Sequence, residues 1–253
     1  MSKSIIFNFK TDISNIKIPS ELNNPFGTYV PEIAKIAAEE FQNFITEESD
    51  LWKHEVWMRK GKMWGVLVIQ RADSSYGFLG AVSGKLPENM SCEKLTPSVF
   101  DDSTDDYFIN KGMTELTVIG TQIKNSENSD EISELKEFRK NKSIGLQRRL
   151  FENYNFINLS GQEQNLLEIF KNASNGNPPA AAGECAAPKL LQHALQNNLK
   201  PVAITEFWMG NSLALKQKQN GSFYPACRDR CRLILEYMLE DNTLFDNRFS
   251  VEN

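Results

Sequence analysis

The stretch "GECAAPKLLQHAL", residues 183–195, sets a glutamate and a cysteine at the head of an apolar helix pattern, and "FYPACRDRC", residues 223–231, brings two more cysteines. Behind Cys185, the residues Leu190, Leu191, Ala194 and Leu195 recur at helical spacing, and Pro188 suits a first turn. Cys227 and Cys231 are four residues apart, which on a helix puts them on one face. Between the two stretches lies "KPVAITEFWMG", residues 200–210, a β-rich run closed by Gly210. The pattern predicts two helix starts that deliver thiols, and a helix N-terminus favours the thiolate form that a metal needs. Cys185, Cys227 and Cys231 are therefore the candidate metal ligands.

Reading outward, "VPEIAKIAAEEFQNFITEE", residues 30–48, spaces Ile33, Ile36, Ala37, Phe41, Phe44 and Ile45 as one helix face. "MWGVLVIQRADSSYGFLGAVSGKL", residues 63–86, reads as two strands joined by a polar turn, the first without alternation and so buried on both faces. Residues 1–29 read as an extended arm. Residues 87–176 read as a helical insertion with a polar turn near "NSENSD", and "SIGLQRRLFENYNFIN", residues 143–158, as its return leg. "KNASNGNPPAAAG", residues 171–183, is a small-residue loop leading to Cys185. The expectation is one α/β domain over residues 1–253, with a central mixed sheet, flanking helices and the helical insertion.

A chain of 253 residues that is 40% hydrophobic and 24% charged can bury a real core. Its formal charge of −5 gives no overall attraction for phosphate, so contact with nucleic acid needs a local cluster such as Lys216, Lys218, Arg228, Arg230 and Arg232. Those cations read equally as a solvated helix face. No apolar run reaches 18 residues, and "MSKSIIFNFKTD" is too short an apolar start for a signal peptide. A cytoplasmic protein without a membrane partner is expected. Four cysteines in a reducing compartment argue against a disulfide framework and for a metal. Cys92 stands apart and reads as a packing residue. His193 reads as a helix-face residue two turns beyond Cys185, and His54, near Trp52 and Trp57, has no visible partner.

The order helix, strand, strand, insertion, helix with a cysteine, strand, helix with a cysteine pair resembles the zinc-dependent cytidine deaminase fold. "CAAPKLL" looks like the "CAEPK" version of that family's first motif, and "PACRDRC" like a stretched "PCxxC". The family's catalytic glutamate position is Ala187 here, and three residues, rather than two, separate the paired cysteines. A longer likeness runs through "KMWGVLVIQ", "GFLGAVSGKL", "LQRRLFENYNFIN", "PPAAAGECAAPKLLQHAL", "LKPVAITEFWMG" and "GSFYPACRDRCRLILEYML". These resemble the N-terminal extension of one branch of RluA-type RNA pseudouridine synthases. No Arg-Leu-Asp of the synthase motif occurs in the chain, so pseudouridine formation by it is not expected.

Tetrahedral zinc takes thiolates at about 2.3 Å, and a fourth position left to water makes a catalytic site. The resemblance implies hydrolytic deamination of a nucleobase, by attack at C4 of cytosine or C6 of adenine. In place of Ala187, Glu184 and Glu206 are the candidate proton shuttles, with Glu184 read alternatively as a surface or N-cap residue. Phe207, Trp208, Phe223 and Tyr224 read as core or as pocket walls, with Trp208, Phe223, Tyr224 and Arg228 the candidate substrate contacts. The substrate class is RNA or a nucleotide. The rival reading is a non-catalytic RNA-binding or accessory module that works beside a separate pseudouridine synthase and keeps zinc for structure.

Overall fold

The computed structural model describes residues 5–49, 51, 61–86, 92–100, 108–173, 176–211 and 218–239. His54, Trp52, Trp57 and Lys216 lie outside them. In chain order the elements are α1 (Glu32–Asn43), β1 (Lys62–Gln70), β2 (Tyr76–Val82), α2 (Phe108–Asn125) and α3 (Ser129–Phe151). They continue with β3 (Asn155–Ile157), β4 (Glu163–Asn165), α4 (Leu166–Ile169), α5 (Ala186–Gln196), β5 (Lys200–Met209), β6 (Phe223–Tyr224) and α6 (Arg228–Met238). A π-helical turn, Phe44–Glu48, extends α1.

β1 is the spine of the sheet, whose strand order is β2-β1-β5-β6. The apolar run without alternation does form a strand covered on both faces, with residues 64 to 69 all buried. One face carries Trp64, Val66, Val68, Ala203 and Phe207 against α1, while the other carries Leu67, Ile69, Ile204 and the helices α5 and α6. Every pairing in this sheet is antiparallel, whereas a mixed sheet was expected. The reason is the connectivity. β5 returns along β1 in the opposite sense, and β6 folds straight back on β5 instead of crossing over to a parallel neighbour.

Within residues 87–176, α2 and α3 form an antiparallel hairpin that packs chiefly on itself. The Asn128 side chain caps α3 by accepting from the backbone N–H groups of Asp130 and Glu131. The insertion is not wholly helical, because "NFI" and "EQN" pair as the two-stranded ribbon β3–β4. Three-residue strands leave too little alternation to be read from sequence. The N-terminal arm is tied to the sheet edge through reciprocal backbone bonds between Phe7 and Phe78, and its Asn23 side chain both donates to Ile204 O and accepts from Ile204 N–H. No helix among the described residues is long and apolar enough to cross a membrane.

Two glycines set the helix-to-sheet distances. A Cβ on Gly80 would stand 2.3 Å from the Phe41 ring of α1, and one on Gly65 would stand 2.9 Å from the Ala186 Cβ at the start of α5. The bare backbone at Gly65 lets the first turn of α5 settle onto β1. Gly80→Ala is expected to destabilise the fold by about 1–3 kcal/mol through overpacking, read as a shift of the urea midpoint. An unchanged midpoint would show that α1 sits further from the sheet.

Candidate metal centre

Gly183, at a positive φ of 86°, turns the chain into α5. Cys185 then occupies the N-cap, and Cys227 occupies the N-cap of α6. The Cys185 thiol does not cap its own helix. The unpaired N–H groups of the first turn of α5 are met from outside the helix instead. Ala186 N–H donates to Ser83 Oγ at 3.2 Å, and Ala187 N–H donates to Glu206 Oε1 at 3.0 Å. The thiol of Cys185 is thereby free of capping duty.

It turns toward the other two. Cys185, Cys227 and Cys231 lie near enough to shift one another's protonation, so the two helix starts converge. The cluster shares its protons unequally. Hydrogen bonds from Cys185 and Cys231, helped by the backbone and charge of Arg230, hold Cys227 well below the usual thiol range. Cys185 is pushed up by the same bond to Cys227, by Cys231 and by burial. For Cys231, the contact with Cys185 pulls downward, but Cys227 and burial outweigh it and the group ends raised.

The donors suit zinc in type and number: three sulfurs, two of them buried, at two helix N-termini. Among the described residues, no group of three or more His, Cys, Asp or Glu side chains is arranged to hold a metal as it stands. Tetrahedral zinc bound at about 2.3 Å to each sulfur sets the sulfurs roughly 3.8 Å apart.

The two candidate shuttles separate clearly. Glu184 is neither a surface nor a capping residue. It is buried, accepts hydrogen bonds from the Tyr154 hydroxyl and from Ser98 Oγ, and pairs with Lys189 Nζ at 3.2 Å. Lys189 in turn donates to Val82 O and Gly84 O at the end of β2. Glu184 is thus a structural anchor. Glu206 is 4% exposed and reaches from β5 to the first turn of α5. Burial pushes its carboxyl up to about 7, against the pull of the Ala187 N–H, with the Cys227 charge adding to the rise and Lys218 opposing it.

Register sorts the aromatic candidates. Tyr224 lies directly opposite Glu206, so its side chain shares the thiol face, and Phe223 lies opposite Phe207 on the α1 face. Trp208, two residues beyond Glu206, returns to the thiol face. Lys218 Nζ bridges the Trp208 and Tyr224 rings at 5.4 and 4.3 Å. Arg228 is turned away onto the arm, over the Phe26 ring at 5.0 Å. Cys92 packs in the α1 layer, and His193 lies at the far end of α5, where burial lowers its pKa.

Sequence reasoning missed Lys189, Tyr154 and Ser83. The available signal was a lysine inside "APKLL", four residues beyond Cys185 on an otherwise apolar helix. The chain matches no known protein family, no curated protein and no solved structure.

Lys189→Met, which leaves Glu184 buried without its cation, is expected to cost about 3–5 kcal/mol in chemical denaturation. The double variant Lys189→Met with Glu184→Leu is expected to recover much of that loss. A Lys189→Met protein as stable as the parent would contradict the anchor role.

Proposed function

We propose that this chain binds zinc through Cys185, Cys227 and Cys231 and acts as a deaminase-like protein on a nucleobase in RNA or a nucleotide. The observation that carries this reading is the hydrogen bond from Ala187 N–H to Glu206 Oε1. It sets a buried carboxylate against the very residue where the deaminase motif would carry its glutamate. The order of helices and strands around the sheet supports the deaminase-like three-layer fold. The likeness to the leading segment of RluA-type synthases is the ground for RNA base modification as the context.

Bound by three thiolates, zinc would supply the Lewis acidity that brings the ionisation of water toward neutral pH. Glu206 does the proton work. With Oε1 held by Ala187, Oε2 takes a proton from the attacking water and hands it to the ring nitrogen of the base, then takes that water's second proton from the new C–OH group and gives it to the amino group, which departs as ammonia while the carbonyl forms. A carboxyl whose pKa sits near 7 can take and return protons at neutral pH. Trp208 and Tyr224 on the same face offer a flat wall for the base, and Lys218 across their rings offers it a cation.

Purified protein is expected to carry about one zinc per chain, and Cys185→Ser to lose most of it, by elemental analysis. Glu206→Gln is expected to keep its zinc while deamination of cytosine- or adenine-containing RNA falls about 10²–10⁴-fold. Unchanged turnover in Glu206→Gln would remove the shuttle. Zinc without turnover in the parent would favour the accessory module that partners a separate pseudouridine synthase.

A further inference from the structure

The hairpin of α2 and α3 has features that the metal centre does not use. Residues 136–149 hold Lys136, Arg139, Lys140, Lys142, Arg148 and Arg149 against Glu137 alone, in a chain of net charge −5. The helix dipole accounts for cations in the last turn of α3 but not for those in its middle. Between the two helices runs a groove of about 240 Å³, lined by Lys111, Glu115, Lys142 and Arg149. That is just under the range of small-ligand clefts, ~300–1,000 Å³.

Glycine opens this groove. Gly112 is explained by packing, because a Cβ there would stand 2.6 Å from Leu146. Gly145 is not: a Cβ there would meet nothing within 4 Å. A mid-helix glycine costs about 1 kcal/mol relative to alanine, so packing gives no reason for this one. An exposed aromatic stands beside the groove, next to its lining residue Lys142. Phe138 is 56% exposed, one turn from Lys142, whose Nζ lies 5.7 Å from the ring centre. Arg149 stacks on Phe108 at the other end of the groove.

The geometry points to a binding site for single-stranded RNA on this hairpin, with backbone phosphate over Lys111, Lys142 and Arg149 and a base stacked on Phe138. Three cations face the single anion Glu115. The Lys142–Glu115 pair, at 2.6 Å and with both side chains more than a third exposed, is of the weak surface kind that a polyanion displaces. Cations that track phosphate beside an exposed ring are what sequence-tolerant strand binding needs. This inference names the partner for the proposed base chemistry and rests on that reading for the choice of RNA, but the groove is independent of zinc.

The test is fluorescence anisotropy with a labelled oligouridylate of about ten nucleotides, a length within the usual span of strand-binding sites. The parent, Phe138→Ala, Arg149→Ala and Gly145→Leu are titrated over a range of salt. Binding by the parent is expected to weaken with salt, and Arg149→Ala to reduce the logarithmic slope by about 0.7. Phe138→Ala is expected to weaken binding about 5- to 150-fold. Gly145→Leu, which fills the groove while favouring the helix, is expected to bind at least tenfold more weakly with a melting temperature equal to or above the parent's. Equal affinity in all four proteins, no binding at about 50 mM salt, or equally tight binding of free uridine monophosphate would each overturn the site. Zinc content measured on the same samples keeps its failure distinct from failure of the metal centre.

Discussion

The arrangement of this protein depends on who caps the first turn of α5. A helix start leaves N–H groups without partners, and the usual remedy is a side-chain oxygen at the N-cap. Here the N-cap is Cys185, and the oxygens arrive from β5 and from the residue after β2, as Glu206 and Ser83. The helix is satisfied from outside, and its leading thiol is left for other use. The same bond draws a carboxylate to the base of the thiol cluster, so one interaction positions both halves of the proposed chemistry.

Holding that turn against the sheet takes further parts. Gly65 removes the side chain that would keep Ala186 away from β1. Gly84 N–H donates to Glu184 O, and the Glu184–Lys189 pair ties the turn to Tyr154 and to the end of β2. A buried ion pair is a poor source of net stability, but it has one geometry in which both charges are satisfied. On the other side, Pro25 O accepts from Ala226 N–H, so the N-terminal arm braces the loop that presents Cys227. The two helix starts are fixed from behind by β1, β5, the end of β2, the Tyr154 segment and the N-terminal arm.

Much of the frame was legible in the sequence, for physical reasons that can be named. The unbroken apolar run of β1 announced a strand covered on both faces, and the spacing of Ile33, Ala37 and Phe41 announced α1. Cysteines at two helix starts could be read from the apolar spacing behind them. The antiparallel return of β6 could not, since a two-residue strand carries no pattern. Burial of Glu184 was equally hidden: its partner Tyr154 is thirty residues away, and only Lys189, a cation amid Pro188, Leu190 and Leu191, hinted that an anion must lie near. The meeting of Glu206 with the first turn of α5 depends on how β5 is registered against that helix, which spacing alone does not contain.

The central claim is that three thiols and no fourth protein ligand hold a zinc ion. X-ray absorption at the zinc edge of the purified protein tests it most directly. The account predicts three sulfur scatterers at about 2.3 Å with one lighter oxygen or nitrogen neighbour near 2.0 Å. A shell of four sulfurs, or a protein that takes up no zinc when the metal is supplied under reducing conditions, would contradict it.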